Sequence, residues 1–323
     1  MKARAILAVP LVTALLLTLF AWPSARLEPR DLPIGVAGGG PAADAIEHRL
    51  AARAGAFDLH RYRDEATART AIEDREVYGA FVAGARGVQL LTASGASPAV
   101  AQLLEHAASE ARGTGPDVED VAPAPRGAAL GASVLPLVLV GIVTGLLAAL
   151  AASSASRRAG LALAGSLLAG LVATAVVQGW LDVIDGSWPA SAAALSLAVL
   201  AIAAAVAGGH ALFGERGAVL AALTMAVIGN PFSGVGSAPE LLPAPAGGIG
   251  QLLPPGAGGN LLRSTGFFDG AAAARPTLVL AAWALAGMAA IALAAARANQ
   301  GAAPISRRPT RARPRITTHQ KAG

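Results

Sequence analysis

The chain has 323 residues, of which 54% are hydrophobic, 14% charged and 4% aromatic, and its net charge is +5 at neutral pH. About a quarter of the residues of a soluble domain are charged, so this composition excludes an ordinary soluble protein. Cysteine is absent, which excludes a disulfide framework, a thiolate nucleophile and a cysteine-bound metal.

Met1, Lys2, Ala3 and Arg4 lead into an apolar run over 5–22. A cleaved signal peptide has a shorter apolar core and ends in an A-x-A-like site. Here the run is longer, and Pro23 stands two residues before Ala25, the one plausible cleavage residue. An uncleaved anchor helix over 1–22 is therefore expected. Residues 23–126 follow as a soluble unit. Residues 32–37 read as a strand running into Gly38, Gly39 and Gly40, and 42–54 as a helix with apolar residues three and four apart. Residues 57–62 alternate as a strand, and 64–77 form a charged amphipathic helix with Asp64 at its N-cap. Strands are expected over 78–83 and 88–92. Ser97 and Pro98 then open a helix to 111, with Ser at the cap and Pro in the first position. Strands alternating with helices predict a small α/β domain. Residues 113–126, rich in proline and acid, read as a linker.

Five further runs, 129–152, 159–177, 189–209, 217–228 and 276–296, contain no ionisable side chain. A run of about 20 apolar residues crosses a bilayer as a helix. The fourth of them is short and ends at Asn230 and Pro231, so its helix is expected to begin earlier, near Ala211. Excess Lys and Arg mark cytoplasmic loops. Lys2 and Arg4 precede the first helix, Arg157 and Arg158 lie between the second and third, and the tail over 298–323 is basic without an acid. The 178–188 connection is acidic and holds Trp180 and Trp188. The pattern predicts a polytopic α-helical membrane protein of the plasma membrane with six transmembrane helices and both termini cytoplasmic. The α/β domain is then extracytoplasmic, between helices 1 and 2, and the five-helix membrane domain covers 127–297. The Pro/Gly-rich loop over 231–275 is also outside. Irregular backbone is not tolerated against lipid, so this loop is expected to form short interfacial or re-entrant helices over the outer mouth of the bundle.

Few residues point to chemistry. The only lysines, Lys2 and Lys321, follow no glycine-rich phosphate loop, so the chain has no P-loop of its own. Gly38–Gly40 lack the rest of a dinucleotide fingerprint and read as a turn. His48, His60, His106, His210 and His319 have no metal-site spacing. No cofactor and no catalytic constellation is expected. Asp182 and Asp185 read either as a cation-attracting outer mouth or as acids tolerated outside beside interfacial tryptophans. Glu215 and Arg216, in an inner loop, read either as a contact to a cytoplasmic partner or as a solvated pair. The basic tail fits anionic lipid and positive-inside retention equally, and the clustering of the basic residues around the membrane helices argues against nucleic acid. Ion-coupled carriers place ionisable side chains inside the bundle; their absence here, with so much Ala and Gly, favours close helix packing and an apolar or amphipathic substrate.

The order of parts resembles the ABC-2-type exporter permeases, in their Pip/YhgE-like (phage infection protein) branch. The resemblance spans nearly the whole chain. Its most specific pieces are Asp74-Arg75-Glu76-Val77-Tyr78-Gly79-Ala80-Phe81-Val82, Gly229-Asn230-Pro231-Phe232-Ser233-Gly234 and Leu252-Leu253-Pro254-Pro255-Gly256. Asn230, Pro231, Pro254 and Pro255 join Asp182 and Asp185 as candidate outer-mouth or gating residues. The resemblance implies a permease without active-site residues that works as a homo- or heterodimer with a separate ATP-binding subunit. The short inner loops depart from the family's layout. A different class stays open beside it: a non-transporting accessory of a secretion or envelope system, or a surface receptor, acting through the outer domain.

Overall fold

A computed structural model describes residues 2–84, 87–110, 117–125 and 130–301. The protein is mostly helical. Helix α1 (Lys2–Ala25) leads to strand β1 (Leu32–Ala37), α2 (Pro41–Ala51), β2 (Phe57–Tyr62), α3 (Glu65–Glu73), β3 (Gly79–Gly84), β4 (Gly87–Thr92), α4 (Pro98–Glu110) and β5 (Asp117–Asp120). The long helices follow: α5 (Leu130–Ala151), α6 (Ala155–Val177), α7 (Trp188–Phe213) and α11 (Ala274–Gly301). Between α7 and α11 lie α8 (Glu215–Leu223), a π turn (Thr224–Gly229), a 3₁₀ turn (Pro239–Leu241), α9 (Ala246–Gln251) and α10 (Pro254–Phe267).

The strands form one sheet in the order β2-β1-β3-β4-β5. β1 is parallel to β2 and β3, β3 and β4 form an antiparallel hairpin, and β5 runs parallel to β4. The α/β expectation and its helices and strands are met, including Asp64 at the start of α3. Its carboxylate accepts from the Thr67 backbone N–H at 2.9 Å, and Thr67 reaches back to the Asp64 backbone. Two local expectations change. The 113–126 stretch contains a strand, β5, because an edge strand needs only its backbone paired and can leave acids in solvent. Glu119, on that strand, pairs with Arg69 at 2.8 Å. The charged helix stops at Glu73 and not at Val77, because Arg75 takes φ 61° and reverses the chain.

Each face of the sheet has its own core. Leu32, Ile34, Val36, Phe81 and Leu90 pack under α2 and α4, and Ala37, Ala80, Val82 and Leu91 pack under α3. The 231–275 segment enters both. Ala238 and Leu241 complete the first core, and Phe268 completes the second. The sheet domain is thus clasped by a segment that follows it by more than a hundred residues.

Four helices are long and apolar enough to cross a membrane: Ser133–Ala151, Ala155–Val177, Trp188–Phe213 and Ala274–Gln300. They make this a helical membrane protein. α7 is their axis: 67% of its most apolar window is buried, against 22–33% in the other three. Small residues allow the approach. A Cβ built on Gly287 would stand 2.3 Å from the Ala204 backbone, and one on Gly145 would stand 2.7 Å from the Ala203 carbonyl. The Ala211 expectation is corrected here. Residues 211–213 finish α7, and Gly214 at φ 65° turns the chain directly into α8. α8 and its π turn rise only about 22 Å at 1.5 Å per residue. α1 contributes a shorter apolar helix, Val9–Ala25, among the described residues. The basic tail beyond Gly301 lies outside them.

Candidate functional site at the seam between sheet and bundle

α10 is the platform of the seam. Pro254 and Pro255 occupy its first turn, where a missing N–H costs nothing, and nearly the whole helix is buried. Its apolar residues pack against the long helices: Leu261 and Ala257 against α7 and α11, Leu262 against α5 and α7. The 178–187 loop closes over its end, where Ile184 packs on Gly266. The face toward the sheet domain is polar.

Four sets of bonds join the domain to this segment. Arg75 donates to the Asn260 side chain at 2.7 Å, to the Asn260 carbonyl at 3.3 Å and to the Ser264 hydroxyl at 2.5 Å. Its guanidinium also lies over the Phe268 ring, 5.3 Å from the centroid. The Tyr78 hydroxyl donates to the Glu240 carboxylate at 2.7 Å. The Ser97 hydroxyl donates to the Ser237 carbonyl at 2.6 Å while accepting from the Val100 N–H at the start of α4. The chain entering β1 pairs by backbone, Glu28 N–H to the Leu241 carbonyl and Arg30 N–H to the Glu240 carbonyl. Within the segment, Asn260 donates to Gln251, and Gln251 to the Ser233 carbonyl.

Arg263 stands in the middle of this seam and is 4% exposed. It donates to the Val235 carbonyl, and among the described residues no carboxylate pairs with it. Its pKa is lowered to about 10, first by burial and also by neighbouring Arg75, against the raising effects of Tyr78 and Glu240. Burial likewise lowers Arg75. Burial, with the adjacent Glu240 carboxylate, pushes the Tyr78 hydroxyl upward.

Arg263 lines a cavity of about 390 Å³ with Ser94, Gly95, Leu130, Val235 and Phe267. A second cavity of about 300 Å³ shares Gly131, Val235 and Gly236 with it and extends to Phe20, Ser24 and Leu27 beside α1. Asn230 and Pro231 line this second cavity. Pro254 and Pro255 instead border a much smaller apolar void of about 20 Å³ between α5, α7 and α10. Asp182 and Asp185 are exposed in the 178–187 loop and border none of these spaces. Glu215 and Arg216 are exposed at the start of α8, at the far end of α7 from the seam. The candidate residues therefore fall into four places. Among the described residues, no group of three or more His, Asp or Glu is placed to hold a metal.

Arg263 and Glu240 were not singled out by the sequence patterns, and Tyr78 stood out only as part of the Asp74–Val82 stretch. A signal for Arg263 exists, since it is the one ionisable residue between Glu240 and Asp269. No family model, curated protein or solved structure matches the chain.

Proposed function

We propose that this chain is the membrane permease subunit of an ABC-2-type exporter, in the Pip/YhgE-like group, moving an amphipathic or lipid-like substrate with energy from a separate ATPase. α1 and the pair of α8 with its π turn complete six spans. Both termini are cytoplasmic, and the sheet domain and the 231–275 segment lie outside the plasma membrane. The chain itself is not an enzyme and works as a homo- or heterodimer.

One observation carries this reading. A folded domain is fastened by buried bonds to the segment that caps the bundle, while no Asp, Glu, Lys or Arg is buried among the described residues of the four long helices. Ion-driven carriers need such groups, so work done on the bundle has to come from another chain. Glu215 and Arg216, exposed at the turn between α7 and α8, offer the partner a contact at the end opposite the seam.

The test is affinity purification from native membranes in mild detergent, followed by mass spectrometry. A stoichiometric P-loop ATPase whose turnover changes in the presence of this chain is the expected result. A second reading draws on a groove of about 270 Å³ between α2 and α4, walled by Ile46, Leu50, Phe81 and Ala108 and edged by Arg49 and Arg53. Such a groove suits a receptor or secretion accessory. Recovery of envelope or secretion proteins without any ATPase would replace the exporter with that role.

A further inference from the structure

We infer that the cavity beside Arg263 binds the oxyanion of an amphiphile, a phosphate or carboxylate headgroup taken up by the Arg263 guanidinium at the seam between the sheet domain and the membrane helices. A lone buried charge is costly unless it is paired. Among the described residues Arg263 has one protein acceptor, the Val235 carbonyl, for a fork of five N–H donors. Among the described residues Glu240 is the one acid that acts on both Arg75 and Arg263, and its carboxylate accepts from Tyr78. With Arg75 also present, the cluster of Arg75, Arg263 and Glu240 is left with an excess positive charge.

The space in front of Arg263 is about 390 Å³ and otherwise lined mainly by apolar and small residues. Such walls offer a cation or a neutral polar ligand little, whereas a carboxylate or phosphate matches the planar guanidinium in a two-bond fork. Burial leaves the group protonated at neutral pH, since its pKa stays near 10. The adjoining cavity leads past Gly131, Val235 and Gly236 to Phe20 and Leu27. The neighbouring α1 residues Leu15, Leu16 and Leu17 are exposed apolar side chains. A headgroup at Arg263 would thus have an apolar route for its chain toward the flank of α1.

The site follows from the cavity and the unpaired cation, not from the exporter reading, and its test needs no ATPase, so the two fail separately. The full chain, purified in an uncharged detergent, is titrated with phosphatidylglycerol, oleate, the neutral lipid diacylglycerol and inorganic phosphate, and read by native mass spectrometry and thermal shift. Charged hydrogen bonds are worth about 1.5–3 kcal/mol, so phosphatidylglycerol or oleate should bind about tenfold or more tightly than diacylglycerol. Arg263→Gln should abolish that preference and Arg263→Lys should keep part of it. Gly236→Leu leaves Arg263 untouched and should block binding by filling the passage. A Cβ at Gly236 meets no atom within 4 Å, so this side chain starts into open space and the proposal stays testable if Arg263→Gln does not fold. Competition by millimolar phosphate would identify a site for the free oxyanion. Its failure beside tight lipid binding would identify a headgroup site that needs the chain. Equal binding of the anionic lipids and the neutral diacylglycerol, or anionic binding unchanged in all three variants, overturns the inference.

Discussion

Arg75 and Asn260 are 185 positions apart in the chain, yet the guanidinium of one holds both the side-chain oxygen and the carbonyl of the other. The contact exists because Arg75 adopts φ 61°, a region that side chains other than glycine, asparagine and aspartate seldom occupy. Such strain persists where surrounding contacts fix it, and here the fixing contacts come from α10.

Replacing Arg75 by Met removes the bonds to Asn260 and Ser264 while keeping some packing on Phe268. We expect a loss of about 2 kcal/mol, seen as a lower melting temperature in detergent and faster tryptic cleavage between the sheet domain and α5. Arg75→Lys should recover little of it, because a lysine cannot span Asn260 and Ser264 with one planar fork. Unchanged melting and cleavage in Arg75→Met would show that the domain is held by its apolar cores alone.

Tyr78→Phe tests the second bond of the seam and should cost about 1–2 kcal/mol at neutral pH. Its pH dependence has a definite sign. The folded pKa of Tyr78 is raised above its ordinary 10.0, so its stabilising contribution is complete below that value and is lost as pH rises beyond it. The stability difference between wild type and Tyr78→Phe should therefore be flat from about pH 6 to about pH 9 and shrink above about pH 10. Arg263 has a lowered pKa, so the penalty for burying its charge is relieved over the same alkaline range. Tyr78 is itself one of the groups that raise Arg263, so in Tyr78→Phe this relief begins at a lower pH, which shrinks the gap in the same direction. A gap that widened with pH would contradict the hydroxyl's placement on Glu240.

The axis formed by α7 predicts a contrast between two glycines. Gly287 faces the Ala204 backbone at a distance that admits no side chain, whereas a Cβ at Gly160 meets nothing within 4 Å. Gly287→Leu should prise α11 from α7, costing about 1–3 kcal/mol or more, and reduce recovery of monodisperse protein. Gly160→Leu should be neutral. Equal effects of the two would mean that α7 and α11 do not pack this closely.

The absence of cysteine allows a clean topology test. Single cysteines replacing Ala66 and Asp185 should react with an impermeant maleimide in intact cells. Cysteines replacing Arg216 and Ser306 should react only after permeabilisation. Outside labelling at position 216 would remove α8 from the six-span arrangement.

Much of the fold was readable because its signals are local. The four long apolar runs, the capped start of α3 and the Ser97-Pro98 entry to α4 are each set by neighbouring residues. β5 was missed since its Asp117-Val118-Glu119-Asp120 carries the composition of a linker and becomes a strand only beside β4. The split at Gly214 was missed because an apolar run continues on both sides of a single turn residue. Pro231, Pro254 and Pro255 do fall in the capping segment and Asn230 at its edge, but the seam itself rests on pairs such as Tyr78 with Glu240, whose partners are far apart in sequence. No periodicity records a bond of that kind.

β5 has a bearing on how the protein is made. The sheet is finished once residue 120 has been synthesised, whereas Phe268, which completes one of its cores, is still well over a hundred residues away. At translation rates of about 5–20 residues per second, the interval is on the order of ten seconds, far longer than a small domain takes to collapse. The sheet domain is therefore born before its platform and spends that time with Arg75 and Tyr78 in water. The clasp that later buries them is a late step of biogenesis, since α10 is made only after α7 and α8.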